Sequence, residues 1–167
     1  ADYGKRLVWN GETGKGLSLL QKAGGGVFEN DELALAYIEA VCKPDYRSLV
    51  FENPPNRSER LYAFGLLNNV LTTKSDDPRA RLLNAEYPLV NSDADSAFKQ
   101  FDELIGENSG KKTLEPARLL TGLAVAATRS GRMEIAMAAL DQAFVMEPGW
   151  LALQNIKAEI LLKTGED

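Results

Sequence analysis

The sequence predicts an all-α fold built from packed helix pairs. Three observations carry that prediction. Leu120, Leu123, Ala124 and Ala127 recur at helical spacing, Gly131 breaks the run, and Ala136, Leu140 and Ala143 mark a second helix closed by Pro148. Small residues hold fixed places on both helices, which lets two backbones approach closely while larger residues fill the space beside them. Capping and stop residues punctuate the rest of the chain at helix-length intervals, and no convincing strand pattern is present.

The elements follow in order. Gly4, Gly11, Gly16, Leu20 and Ala23 repeat the intervals of Ala124, Gly131, Ala136, Leu140 and Ala143, so residues 1–28 read as a partial unit. Residues 29–77 read as divergent helices. Asn30 or Asp31 caps a helix of Glu32 to Cys42 that Pro44 stops, and Ser58 caps a helix of Glu59 to Leu71. Leu35-Ala36 is a faint echo of the pattern, whereas Pro44 to Asn56 lacks its small residues. Arg47 to Glu52 there reads as a short helix or an extended connector.

Residues 78–112 form a weak copy. Asp76 or Asp77 precedes Pro78 as a cap, and Ala85, Ala97, Phe101 and Leu104 take the pattern's places. Asn91-Ser92-Asp93 replaces the turn glycine. Ser92 or Asp93 opens a helix holding Phe98 and Phe101 that Gly106 is expected to end, with Gly106 to Lys112 an exposed, mobile loop. Thr113 caps the helix beginning Leu114-Glu115-Pro116, since proline is tolerated in a first turn. Residues 113–150 are the best unit. Leu151 opens a last helix, residues 151–167, placing Ala158 and Gly165 thirty-four residues after Ala124 and Gly131.

Composition narrows the function. The chain has 167 residues, a size suited to one domain, and 44% apolar residues without a run long enough to span a bilayer. Net charge is −5, with acidic and basic residues interspersed, so nothing offers phosphates a row of cations and nucleic-acid binding is not expected. There is no histidine, and Cys42 is the one cysteine. The commonest general base, the commonest transition-metal ligand, an internal disulfide and a cysteine zinc site are all excluded. Cys42, among Leu33, Tyr37, Ile38 and Val41, reads as a packed thiol. No signal-peptide pattern is present, and the chain reads as soluble, cytoplasmic or periplasmic, without direct membrane insertion.

The 34 residues of Ala117–Trp150, with their small-residue places, turn glycine and closing proline, resemble a tetratricopeptide repeat. The resemblance implies a right-handed α-solenoid of antiparallel helix pairs, irregular in the middle, and a single repeat domain over residues 1–167. Ala127 and Leu120 depart from it, standing where the family favours large aromatics. By the phase of the pattern the chain reads as an excerpt of a longer array; the alternative is a natural domain whose last helix is a polar cap bearing Asn155, Lys157, Glu159 and Lys163.

Several tempting motifs have plainer readings. Gly11 to Ser18 looks like a phosphate loop, but Trp9 stands where its first glycine belongs and Gly16 follows Lys15. Gly24-Gly25-Gly26 reads as a helix stop, and Asp93, Asp95, Asp102 and Glu103 as an acid-rich helix start without calcium-loop spacing. Tyr62, Phe64, Trp9 and Trp150 read as packing residues.

Family resemblance places a concave groove on the first helix of each pair. It implies Arg118, Thr121, Val125, Thr128 and Arg129 on the best unit, Asn155, Glu159 and Lys163 on the last, and Arg79, Leu82 and Glu86 on the weak one. The Lys/Asn clamp that some members use for a C-terminal carboxylate is absent, Thr121 and Val125 standing in two of its places. The expected function is a non-catalytic interaction module or scaffold that takes a peptide or partner helix, with Arg118 and Arg129 as hydrogen-bonding cations and no cofactor or metal. Bacterial pilus, secretion or exopolysaccharide assembly is the home the resemblance suggests. The alternative is a helical regulatory or carboxylate-based catalytic domain of a larger enzyme. Self-association through terminal repeat faces is a third reading.

Overall fold

The computed structural model describes residues 18, 19, 22, 31–42, 57–111 and 114–165, and among them every regular element is a helix. Seven helices are delimited: α1 (Asp31–Cys42), α2 (Arg57–Thr73), α3 (Pro78–Val90), α4 (Ala94–Lys111), α5 (Pro116–Arg129), α6 (Met133–Met146) and α7 (Leu151–Thr164). The Gly4–Ala23 copy (but for Ser18, Leu19 and Lys22), the Gly11–Ser18 stretch up to Gly16-Leu17, the glycine triplet, residues 44–56 and the Cys42 side chain lie outside the described part.

Two compact units are present. Of the described residues, the first holds 18, 19, 22, 31–42 and 57–83, the second 84–111 and 114–165. In the first, α1 packs on α2, burying Leu35, Tyr37, Ile38 and Val41 from one helix and Ala63, Leu67 and Val70 from the other. Tyr37 meets Tyr62 edge to face at 5.7 Å between ring centroids. In the second, neighbours in sequence are neighbours in space: α4 on α5, α5 on α6, α6 on α7, with α5 also touching α7.

Helix α5 is the centre of the second unit. Every residue from Leu119 to Thr128 is buried, as is Ala117. A helix closed all round needs apolar or small residues on every face, and Leu-Leu-Thr-Gly-Leu-Ala-Val-Ala-Ala-Thr supplies them. Its two threonines turn their hydroxyls back to the helix, Thr121 Oγ1 donating to Ala117 O at 2.7 Å and Thr128 Oγ1 to Ala124 O at 2.8 Å. The pattern's small residues Ala85, Ala97, Ala124, Ala127, Ala136 and Ala143 are all fully buried. One close approach needs more than an alanine. The Phe101 ring of α4 lies against the Gly122 backbone of α5, and a Cβ there would overlap Phe101 Cζ and Cε1.

The turns repeat a geometry that the sequence only half reveals. After α5, Gly131 takes φ 77° and Arg132 N donates to Ala127 O at 2.8 Å. After α3, Ser92 takes φ 61° and Asp93 N donates to Pro88 O at 2.9 Å, so a serine occupies the left-handed place that favours glycine. Asp77 and Asp93 cap α3 and α4: their Oδ1 atoms accept from Ala80 N at 2.9 Å and Ser96 N at 3.1 Å. The Ser96 hydroxyl and amide hold the Asp93 carboxyl below its ordinary range.

Gly106 does not end α4, which runs on to Lys111. Of the residues expected to loop out, 106–111 continue the helix and Lys112 lies outside the described residues; Asn108 ties α4 to the segment that follows. Its amide donates to Leu114 O and its carbonyl accepts from Leu114 N, both at 3.0 Å, pinning the next segment as a backbone pair would. Thr113 lies outside the described residues; Glu115 stands at the N-cap of α5 without a side-chain cap, and Pro116 starts the helix.

Candidate interaction surface

The residues expected to line a groove divide into three groups. Arg79, in the first unit, and Glu86, Arg118, Arg129 and Glu159, in the second, are each engaged by polar or charged groups of their own unit. In the first unit, Arg79 Nη2 donates to Glu39 Oε2 at 2.6 Å, and its Nη1 lies 3.7 Å from Glu32 Oε2. In the second, Glu86 of α3 is fully buried and takes a forked guanidinium from α5: Arg118 Nε and Nη2 donate to Oε1 at 3.0 and 2.8 Å, and Nη2 also reaches Oε2 at 3.0 Å. Eleven residues along α5, Arg129 Nη1 donates to Leu89 O at 3.0 Å, near the carbonyl-rich end of α3. Burial lowers the Arg129 pKa, and the Glu159 carboxylate of α7 opposes that shift.

These contacts tie non-consecutive helices: Arg79 joins α3 to α1 in the first unit, and Glu86–Arg118 and Leu89–Arg129 join α3 to α5 in the second. Both arginines expected to hydrogen-bond a partner are thus engaged within the chain. The forked Glu86–Arg118 geometry suits arginine in particular, since lysine could not supply two parallel donors.

Thr121 and Val125, the second group, are 0% and 2% exposed, so neither presents a surface to a ligand. The groove that the resemblance places along α5 is closed at its centre in this structure. Asn155 is the third case: it is exposed on α7, while Lys163 lies outside the described side chains. Further polar contacts fasten the helix pairs. Arg132 Nη1 donates to Asp95 Oδ1 at 2.7 Å with its guanidinium over the Phe98 ring, and Lys157 Nζ donates to Asp141 Oδ1 at 2.8 Å beside Phe144.

Helix α7 carries an exposed apolar surface of which the groove expectation named only Asn155. One face is core: Leu153, Ile156 and Ile160 are fully buried. On the other side, Leu151 is 63% and Leu162 81% exposed, with Asn155 and Ala158 exposed between them. At 3.6 residues per turn these four positions fall within an arc of about 60°. Val145 and Met146, just before the turn into α7, add further exposed apolar surface.

The same register on α5 is closed. Ala117, Thr121, Ala124 and Thr128 stand thirty-four residues before Leu151, Asn155, Ala158 and Leu162, and none is more than 4% exposed. Helices α6 and α7 both follow α5 and pack on it, whereas α7 is the last described helix. Gly165 ends α7 at φ 70°, matching Gly131 at 77° after α5. The signal was present in the sequence: α7 has one apolar set at 153, 156 and 160 and a second at 151, 158 and 162. A helix with two apolar faces needs two partners.

Among the described residues no group of His, Cys, Asp or Glu is placed to hold a metal ion, and no helix is long and apolar enough to cross a membrane. Comparison with known proteins gives no match, whether to a protein-family model, a curated sequence or a solved structure.

Proposed function

We propose that this chain is a non-catalytic interaction module of tetratricopeptide-like helix pairs, and that it accepts a partner helix on the outer face of α7. The observation that carries the reading is the contrast between two faces in the same register: closed on α5, open on α7. Leu151 and Leu162 are exposed at the two ends of one stripe of the 14-residue helix, opposite its buried face. An amphipathic helix laid against such a stripe buries it without leaving backbone groups unpaired.

The partner's chemistry is suggested by α6, whose inner seam consists of Ala136, Ala139, Leu140 and Ala143, all buried. Small residues at three- and four-residue spacing allow the close approach that Ala158 invites. The pairwise helix packing and the matched turns at Ser92 and Gly131 support a repeated helix-pair architecture. Glu86, the fully buried carboxylate, is held by the forked Arg118 guanidinium, which favours a structural role for it over a catalytic one.

A titration with a synthetic peptide of residues 132–147, followed by NMR at low protein concentration, tests the reading. Saturable binding that perturbs α7 amides, weakened about tenfold or more by Leu162→Glu, is expected. Absence of saturable binding, or binding indifferent to Leu162→Glu, would overturn it.

A further inference from the structure

The end of α4 is built differently from its body. Ala97, Phe101 and Leu104 bury the body along one side of the helix, and the next position on that side is Asn108, 8% exposed. Gly106, Glu107 and Ser109 around it are exposed. Among the described side chains, Leu104 is the last buried apolar residue of α4. We infer that residues 106–111 form a latched segment, a helical end that opens and closes without the rest of the second unit, with the Asn108 side chain as its latch. The device is independent of what α7 binds.

Local sequence opposes the closed form. Gly-Glu-Asn-Ser-Gly-Lys contains two glycines, the weakest helix formers after proline, and an Asn and a Ser whose side chains compete for backbone groups. Gly106 is not required by packing, because nothing lies within 4 Å of a Cβ built there. The latch works against this bias. Asn108 Nδ2 donates to Leu114 O and Oδ1 accepts from Leu114 N, both at 3.0 Å. Both partner groups belong to one residue, so the two bonds form and break together. Opening returns four hydrogen-bonding groups to water at once, which makes the segment switch as a unit.

The rest of the unit does not depend on the latch. Helices α4 and α5 meet where Phe101 lies against Gly122, and the buried run of α5 from Leu119 to Thr128 begins five residues after Leu114. Opening residues 106–111 therefore leaves Phe101, Leu104 and that run in place. A segment with little buried apolar surface opens at a lower free energy than the whole fold. The open form gives the connection between α4 and α5 slack while the two helices stay packed.

Amide hydrogen exchange followed by NMR tests the latch. Amides 107–111 should share one protection factor, about a hundredfold or more below that of amides 120–127, instead of declining residue by residue toward Lys111. Asn108→Asp keeps the acceptor for Leu114 N but sets a carboxylate oxygen against Leu114 O. It should speed exchange of amides 107–111 by about tenfold and leave amides 120–127 unchanged. Gly106→Ala, with room for its methyl, should slow the same five amides by about fourfold. Three results would each overturn the inference. One is equal protection of 107–111 and 120–127. Another is protection that is graded toward Lys111 or unmoved by the two substitutions. The third is an Asn108→Asp chain that unfolds as a whole or speeds the α5 amides equally.

Discussion

Replacing glycine by alanine inside a helix ordinarily stabilises it, by about 0.8–1 kcal/mol, because glycine loses more backbone freedom on folding. At Gly122 the structure reverses the sign. A methyl there would overlap three atoms of the Phe101 ring, and Phe101 is fully buried, so the ring cannot swing out to solvent. Relief requires α4 and α5 to move apart. Overpacking of this kind costs about 1–3 kcal/mol and at the upper end more, which exceeds the propensity gain. Gly122→Ala is therefore expected to lose about 1–2 kcal/mol net. For a chain of this size, that lowers the melting temperature by roughly 3–8 °C.

Gly65, exposed in the middle of α2, is the internal control, because nothing lies within 4 Å of a Cβ built there. Gly65→Ala should gain roughly 0.5–1 kcal/mol. Calorimetry and urea titration of both variants give the two signs, and Phe101→Leu in the Gly122→Ala background should recover part of the loss. Two changes in contact are expected to couple by on the order of 1 kcal/mol. A Gly122→Ala chain as stable as the parent would refute the close approach of α4 and α5.

Three further outcomes follow from named contacts. Arg118→Met should cost about 3 kcal/mol by urea denaturation, since it leaves Glu86 buried and stripped of its forked partner, while Glu86→Leu with Arg118→Met should regain most of that loss. Ser92→Gly should stabilise by roughly 0.5 kcal/mol, because only glycine adopts the left-handed turn without a steric cost, and Gly131→Ala should lose about 1 kcal/mol for the same reason. The Asp93 cap makes stability depend on acid. Its folded pKa lies below the ordinary 3.8, so its contribution is present above that value and is lost as pH falls through the folded pKa. Asp93→Asn keeps a capping acceptor and should flatten the urea midpoint's fall below about pH 4; an unchanged acid slope would count against the cap.

Much of the core was legible because periodicity reports which side of a helix is apolar. Leu120, Leu123, Ala124, Ala136, Leu140 and Ala143 are buried as the pattern requires, and so are Ala85, Ala97, Phe101 and Leu104 in the weaker copy. Asp77 and Asp93 serve as caps, since a short acceptor before a helix has little else to do. Gly106 was misleading because glycine weakens a helix without ending it, and α4 continues to Lys111; the Asn108–Leu114 clamp is a contact six residues apart that no local propensity encodes. The burial of Thr121 and Val125 was hidden for a different reason. Sequence offsets identify which residues share a face, but not how many neighbours close over it. Thr121 and Val125 share a face with Arg118 and are nonetheless buried. Conversely, the open face of α7 is visible in the sequence only once α7 is known to have core on its opposite side.

Whether α7 accepts a helix can be measured most directly by supplying one. A chain extended after Gly165 with a second copy of residues 132–147 places a helix of α6 chemistry where the left-handed turn at Gly165 would deliver it. If the face is helix-accepting, the extension folds as one more helix, α7 amides become more protected from hydrogen exchange, and the melting temperature rises. That gain should vanish with Leu162→Glu in the extended chain. An extension that stays unprotected, with α7 exchanging as it does in the parent, would contradict the proposal.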